Sequence, residues 1–332
     1  MSTCKLRALW LAVVLILFVI VAGLWLVDVR VRPGPQGLVF CWSAAFWLWL
    51  SLIRKPATVW QQRALDIGNG LLLFTALGTC GALLSYFSTR ASPFGFADDV
   101  LYRADLAIGL DWAAVYRAHA AQPFIVHYIT QNLYIAIFDI PIVVVFFLAA
   151  TGQEHRLREF ITAFAIALLM TILISIFVPA RTPLLHLINR DLTYVPATGL
   201  GFGQVVAELR SGRPMILELH ELFGILVFPS FHAASAILFT WAGAKIPYLR
   251  WPIGLVCAGM LIVTPMEGAH YFVDVIAGSL VAIASILAVK TRPWGIVRAM
   301  SRDNVRALRP ISRQTTSLRS FRSEAMSVTQ IV

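Results

Sequence analysis

Long apolar runs separated by shorter polar segments make up most of this chain. Eight of the runs come close to the roughly 20 mostly apolar residues that a helix needs to cross the hydrocarbon of a bilayer. This pattern predicts an all-α fold, a polytopic membrane helix bundle of about eight spans. The predicted spans lie at residues 9–27, 37–53, 66–87, 124–148, 160–178, 229–244, 251–266 and 270–289.

Two longer segments, residues 88–123 and 179–228, interrupt the pattern of short loops. They are too polar to span the membrane and too apolar to be plain linkers. Both alternate apolar and charged residues at roughly helical spacing, which is typical of short helices lying in the membrane interface. Because both segments follow spans that end on the same side, we expect them to cover the outer face of the bundle.

The composition supports a membrane protein. Of the 332 residues, 59% are hydrophobic and 13% are charged, and the mean hydropathy of +0.77 excludes a soluble domain of ordinary composition. Lys5 and Arg7 precede the first run as in a signal peptide. That run is about 19 residues long and lacks a small-residue cleavage site, so we expect a retained anchor. The four cysteines lie far apart, which predicts neither a disulfide framework nor a zinc site.

The positions of the basic residues predict the orientation. With eight spans and both termini on one side, most of the 27 Lys and Arg residues fall on that side, and cytoplasmic loops are enriched in these residues. The compact chain points to a bacterial inner membrane, with cytoplasmic termini and the outer face in the periplasm. Residues 291–332 predict a disordered basic tail that contacts anionic lipid. The net charge of +10 therefore reports topology, and no nucleic acid partner is expected.

Candidate chemistry lies at the start of the eighth run, in EGAHYFVDVIAG at residues 267–278. His270 and Asp274 are four residues apart, so both side chains share one helix face and the carboxylate can accept a hydrogen bond from the imidazole. Such a bond leaves the other ring nitrogen with a free lone pair. His232, in FPSFHAASA, begins the sixth run, two crossings before His270. Two crossings return the chain to the same face, so His232 and Ser230 are predicted to meet His270 and Asp274 there.

These motifs resemble those of a known family. PSFH at residues 229–232, followed after two spans by HYFVDVIAG, is similar to the second and third motifs of the type 2 phosphatidic acid phosphatase superfamily. HYFVD and the small residues after PSFH resemble, more narrowly, its inositol phosphorylceramide synthase branch, the inositolphosphotransferases. The resemblance covers mainly residues 229–278, with weaker support from ADLAIGLDW and PARTP.

The resemblance implies a role for each motif residue. His270 would take the phosphoryl group as a phosphohistidine, Asp274 would orient it, and His232 would protonate the leaving oxygen. Ser230 and nearby backbone N–H groups would hold phosphate oxygens, although a serine at the start of a helix is also expected as an N-cap. No cofactor is implied. No metal is expected either, because the spacing of four outer aspartates fits a solvated helix face better than an oxygen cage. These are Asp98, Asp99, Asp105 and Asp111.

The chain departs from the superfamily at the residues that bind phosphate. The third motif usually has an arginine six residues before the nucleophile, where this chain has Thr264, and the first motif, a lysine followed by Arg-Pro, is absent. Arg181 in PARTP is the first candidate to replace them, followed by Arg213 and Arg210. An arginine just outside a span also commonly anchors that span in lipid headgroups. The loss is expected of the inositol phosphorylceramide synthase branch and argues against a plain phosphatase.

The predicted function is phosphoryl transfer in a membrane. We expect an enzyme that acts on lipid phosphates or phosphodiesters, with the bilayer and a lipid substrate as its partners, and that transfers a headgroup as the inositolphosphotransferases do. A lipid phosphate phosphatase is the alternative, and a non-enzymatic lipid transporter or scaffold is the third hypothesis. The chain would comprise N-terminal spans with an outer segment at residues 1–123, a catalytic core resembling the superfamily at residues 124–290, and the tail at residues 291–332.

Overall fold

The structure, a computed structural model, describes residues 3–54, 56–188, 192–199 and 201–291. The chain divides into two units, Met1–Val289 and Lys290–Val332. Except for Thr291, the predicted basic tail lies outside the described residues, so its disorder and its contact with lipid stay predictions.

Helices dominate the described residues, which confirms the all-α prediction. The helices in the first half of the chain are α1 (Thr3–Leu26), α2 (Gly34–Ile53), α3 (Val59–Ala91), α4 (Asp98–Ala107), α5 (Trp112–Ala120), α6 (Phe124–Ile135) and α7 (Asp139–Ala150). The second half holds α8 (Glu154–Phe177), α9 (Gly201–Arg210), α10 (Phe231–Gly243), α11 (Arg250–Glu267) and α12 (Phe272–Thr291). A π-helical turn at Leu184–Ile188, a 3-10 turn at Leu219–Glu221 and two strands, β1 (Val29–Arg32) and β2 (Met215–Glu218), complete these elements.

Four of the described helices are long and apolar enough to cross a membrane, namely α2, α3, α8 and α12. A fifth candidate is the pair α6 and α7, which is bent by 46° and replaces the straight span predicted at 124–148. Pro141 lies in the first turn of α7. It has no N–H to donate to the Ile137 carbonyl, and its ring crowds that group, so a continuous helix is unfavourable here.

The other three predicted spans coincide with α1, α10 and α11. In α1 the stretch Val13–Leu26 is an apolar helix of fewer than 18 residues, and α10 and α11 are not among the four spanning helices. The 13 residues of α10 extend only about 20 Å at the rise of an α-helix, which is less than the hydrocarbon thickness. The structure therefore supports four or five spans, and the remaining three stay predictions.

The core joins the helix that carries His232 to its neighbours. Phe160 and Phe164 of α8 contact Phe74 of α3, with ring centroids 5.8 and 4.5 Å apart, and both also contact Phe239 of α10. α10 also packs against α11 over much of its length. This packing fixes where α10 begins relative to the end of α11.

The predicted short helices are present in both outer segments. α4 and α5 occupy the first, and α9 with the π-helical turn lies in the second. The parallel pairing of β1 with β2, in register from Val29 with Met215 to Arg32 with Glu218, was not predicted. The sequence VRVR does alternate with the period of a strand, but four residues between two apolar runs carry too little pattern to distinguish a strand from a loop.

The loops meet at two opposite ends of the helices, as the predicted topology requires. At one end, Arg90 of α3 donates to the carbonyl of Leu209 in α9 at 2.7 Å, and the backbone N–H of Thr198 donates to the Glu267 carbonyl at 3.1 Å. At the other end, Gln153 donates to the Lys245 carbonyl at 3.4 Å. The segments predicted to be outer therefore share one end of the bundle, while the side of the membrane that this end faces stays a prediction.

Candidate active site

The end of α11 and the start of α12 form a tight turn that carries His270; residues 265–273 are called the histidine turn below. Within it, Ala269 takes a left-handed conformation with φ of 47°. A Cβ added at Gly268 would lie 2.7 Å from His270 Cδ2 and 2.8 Å from the ring of Tyr134, so this close approach requires glycine. His270 is thereby turned into the protein and is 4% exposed.

Asp274, in the first turn of α12, lies beside His270 as the four-residue spacing predicts. Its Oδ2 lies 3.4 Å from His270 Nδ1 and also accepts the backbone N–H of Tyr271 at 2.8 Å. Both side chains are buried, and Asp274 Oδ1 has no hydrogen-bond partner among the described residues. The carboxylate can therefore fix the ring and favour the tautomer protonated at Nδ1, which leaves the lone pair on Nε2.

His232 enters the site from the first turn of α10. Its ring centroid lies 6.4 Å from that of His270, so the structure brings together the two histidines that the sequence predicts on one face. Tyr134 of α6, which sequence reasoning missed, stacks on His232 with centroids 4.0 Å apart, and its hydroxyl lies 3.2 Å from Nδ1. His232 Nε2 is buried and has no hydrogen-bond partner in the described part of the chain, so this nitrogen is available to a ligand.

Ser230 joins the two motifs directly. Its hydroxyl accepts the N–H of Ala233 at 3.4 Å and caps α10, as one of its two predicted roles requires, while its own N–H donates to the backbone carbonyl of Asp274 at 3.0 Å. A Cβ at Gly278 would lie 2.1 Å from the Ser230 carbonyl oxygen. The small residue therefore lets α12 approach the start of α10 closely enough for the site to form.

Arg181 lies near the histidine turn, to which a shared aspartate connects it. Its Nε is 3.7 Å from Asp98 Oδ2, its backbone N–H also donates to that carboxylate, and its guanidinium packs over the Phe96 ring at 5.1 Å. Asp98 Oδ1 accepts the hydroxyl of Tyr271, the residue after His270, at 3.0 Å. With its side chain 42% exposed, Arg181 can reach an anion outside this contact.

The other positions considered for phosphate binding are arranged differently. Arg213 is exposed after α9, where its backbone N–H donates to Ser211, and no contact in the described residues joins it to the histidines. Arg210 donates to backbone carbonyls at the end of α3, so its guanidinium is already occupied. Thr264, at the position of the expected arginine, is buried and donates to the Met260 carbonyl of its own helix at 2.7 Å.

Two of the four outer aspartates are buried, which contradicts the prediction of a solvated helix face. Asp98 and Asp105 are 2% and 0% exposed, and both accept hydrogen bonds from the histidine turn. Burial raises the pKa of Asp105, and the backbone N–H groups that it accepts oppose this shift. Asp111 caps α5. The described residues contain no group of three or more His, Cys, Asp or Glu side chains that could hold a metal ion.

Glu267 is a fully buried carboxylate whose contacts sequence reasoning missed. His119 and Thr130 contact its Oε1 at 3.0 and 2.6 Å, the Tyr194 hydroxyl donates to it at 2.8 Å, and the Ala197 N–H donates to Oε2 at 3.0 Å. Burial and then the Glu267 carboxylate raise the pKa of Tyr194. Donors from three separate segments make the buried charge tolerable. The sequence feature that indicates a role for Glu267 is the position of an acidic residue at the end of an apolar run.

One of the three comparisons with known proteins found a match. A family model described as the PAP2 superfamily matches residues 99–288, which is more than half of the chain. The match contains His232, His270 and Asp274, and it also takes in the outer segment almost from the start of α4. Comparison with curated proteins and with solved structures gave no match.

Proposed function

This chain belongs to the PAP2 superfamily, and on that premise we propose that it is a membrane enzyme that transfers a phosphoryl group through a phosphohistidine at His270. Membership supports a function of the phosphatase or phosphotransferase type. The observation that carries the specific proposal is the pair of imidazoles, 6.4 Å apart between centroids, with the Asp274 carboxylate behind His270.

The first step forms a bond between His270 Nε2 and phosphorus and breaks the bond from phosphorus to the leaving oxygen. Asp274 accepts the Nδ1–H of His270 and stabilises the positive charge that develops on the ring as Nε2 is phosphorylated. His232 Nε2 gives its proton to the leaving oxygen. In the second step His232 takes a proton from water or an alcohol, whose oxygen attacks phosphorus and releases His270.

Phosphoryl transfer depends mainly on positioning and on stabilising negative charge. Arg181 is our first choice for the cation that meets the phosphate, because its exposed guanidinium is joined through Asp98 to the histidine turn. Arg213 is the second choice. The first N–H groups of α10, which lack partners within the helix, provide an anion site beside the Ser230 cap.

We propose a lipid phosphate or phosphodiester as substrate, with an alcohol as the acceptor in the manner of an inositolphosphotransferase. The buried position of His270 supports this choice, since a site that excludes bulk water favours transfer to a bound acceptor over hydrolysis. The resemblance of HYFVD to that branch and the threonine at position 264 point the same way. The proposed location is a bacterial inner membrane with the site facing the periplasm.

The decisive experiment compares His270→Ala with the wild-type protein, using labelled lipid phosphates and phosphodiesters with and without an acceptor alcohol. We expect wild-type protein to form a covalent phosphoenzyme and the alanine variant to lose both the phosphoenzyme and lipid turnover. His155→Ala is the matched control, because His155 is exposed in the first turn of α8, at the opposite end. Undiminished turnover by correctly inserted His270→Ala would contradict the nucleophile assignment, and an alcohol-independent release of phosphate would identify a phosphatase.

A further inference from the structure

Four side chains at successive intervals of seven residues contact the histidine turn. They are Asp98 and Asp105 of α4 and Trp112 and His119 of α5, and they are called the outer brace below. Seven residues are about two turns of an α-helix, but a loop separates α4 from α5, so the spacing alone does not place them on one face. Their contacts do.

Asp105 holds the start of α12. Its Oδ2 accepts the backbone N–H of Phe272 at 3.0 Å, and its Oδ1 accepts that of Val273 at 2.9 Å. The first N–H groups of a helix have no partner within the helix and need a cap, and here a fully buried aspartate from another helix supplies it. The capped residues lie between His270 and Asp274.

Trp112 holds the backbone of the nucleophile itself. Its indole N–H is shared between the carbonyl of His270, at 3.0 Å, and the carbonyl of Pro265, at 3.1 Å. The ring is fully buried and stacks on Tyr116 with centroids 5.3 Å apart. Trp112 therefore spans the turn from one side to the other.

Asp98 and His119 complete the brace on either side of these contacts. Asp98 accepts the Tyr271 hydroxyl at 3.0 Å, and His119 Nε2 lies 3.0 Å from Glu267 Oε1. The brace thus contacts the chain before, at and after His270. This arrangement explains why an outer segment far from the motifs in sequence carries four polar or aromatic groups that are mostly buried.

We infer that Asp105 and Trp112 are positioning residues that hold His270 in the orientation for in-line attack on phosphorus. The inference rests on the proposed function of His270. The turn contains a glycine and a left-handed alanine, so its own sequence constrains it weakly, and the brace provides the external contacts that fix it. A displacement of about 1 Å in a reacting group lowers a rate by on the order of 100-fold.

The test uses vanadate, which mimics the five-coordinate phosphoryl transition state, and inorganic phosphate, which mimics the ground state. Trp112→Phe keeps an aromatic ring on Tyr116 and removes the indole N–H. We expect it to bind vanadate about 100-fold more weakly than the wild type and phosphate equally well. Asp105→Asn, the second variant, should show the same separation because its amide cannot accept both N–H groups.

Tyr116→Phe is the matched control. It removes a hydroxyl from the other ring of the same buried stack, where that group contacts the backbone of Tyr194 and not the histidine turn. We expect this variant to lose thermal stability but to keep the vanadate affinity. The inference is overturned if a folded variant, Trp112→Phe or Asp105→Asn, keeps its vanadate affinity as this control does. It is also overturned if that variant loses affinity for phosphate and for vanadate equally.

His270→Ala separates this inference from the function on which it rests. If the alanine variant binds vanadate as tightly as the wild type does, the proposed function fails, whatever the brace variants do. If it loses vanadate binding while a folded brace variant retains it, the nucleophile assignment stands and the positioning role is wrong.

Discussion

Asp98 is the residue through which a candidate phosphate ligand and the histidine turn are joined. It accepts the backbone N–H of Arg181, lies 3.7 Å from the guanidinium of that residue, and accepts the Tyr271 hydroxyl. The carboxylate is 2% exposed, so it is screened from water on most sides. One buried acid thus sets the position of both the arginine and the residue beside the nucleophile.

Substitution of Arg181 and of Arg213 should have different effects on phosphate binding, although the sequence indicates both as replacements for the missing arginine. We expect Arg181→Gln to weaken the binding of inorganic phosphate by about 10- to 100-fold, because a charge-assisted hydrogen bond contributes roughly 1.5–3 kcal/mol. Arg213→Gln should leave the affinity unchanged. Titration of the purified protein with phosphate measures both. An equal loss in the two variants would remove the preference for Arg181.

At the scale of residues, local spacing was enough to place some groups and not others. His270 and Asp274 share a helix face because they are four residues apart, and His232 joins them because α10 and α11 return the chain to the same end of the bundle. The burial of Asp105 and Glu267 was not predictable in the same way. Whether an acid is solvated or buried depends on which other segments cover it, and those contacts connect positions 70 or more residues apart in the chain.

The bend between α6 and α7 shows how an element can depart from a correct apolar pattern. The run at 124–148 has the length of one span, and hydropathy is insensitive to the proline that divides it. The division matters to the site, because Tyr134 lies in the last turn of α6 and stacks on His232. In a straight helix, residues 136–138 would be helical and would not form the break that follows Tyr134.

Two arginines connect the C-terminal ends of α3 and α9, and each one donates hydrogen bonds to the end of the helix that it does not belong to. Arg90 of α3 donates to the carbonyls of Leu209 and Gly212, and Arg210 of α9 donates to carbonyls at the end of α3, among them that of Thr89. Cations and donors at helix C-termini satisfy the last carbonyls and complement the helix dipole. The sequence offered Arg210 as a third phosphate candidate, and these contacts give it a structural task instead.

The reciprocal caps predict coupled effects on stability. Arg210→Ala should lower the free energy of unfolding by about 1.5–3 kcal/mol and leave vanadate affinity unchanged, since Arg210 does not contact the histidine turn. Arg90→Ala should act similarly, and the double variant should lose less than the two single losses together, because both arginines stabilise one helix contact. Unfolding in detergent measures these changes. Strict additivity, or a loss of vanadate binding in Arg210→Ala, would contradict this account.

For the whole molecule, alternation of the apolar runs is the strongest constraint that the sequence supplies. Segments expected on one face do meet at one end, where β1 pairs with β2 and α9 contacts α3. The short pairing of strands could not be predicted, because β1 and β2 are about 180 residues apart and each is four residues long. Alternation alone does not state which end faces the cytoplasm, and that assignment rests on the basic residues.

Labelling of single cysteines tests the orientation. Ala107 ends α4 at the end that carries the histidines, and Ala244 follows α10 at the opposite end; both are exposed. With the four native cysteines replaced, we expect a membrane-impermeant thiol reagent to label Ala107→Cys in intact cells. Ala244→Cys should react only after permeabilisation, because Lys245 and Arg250 flank it and basic loops stay in the cytoplasm. The reverse pattern would place the phosphoryl-transfer site in the cytoplasm, where its lipid substrate would have to enter from the inner leaflet.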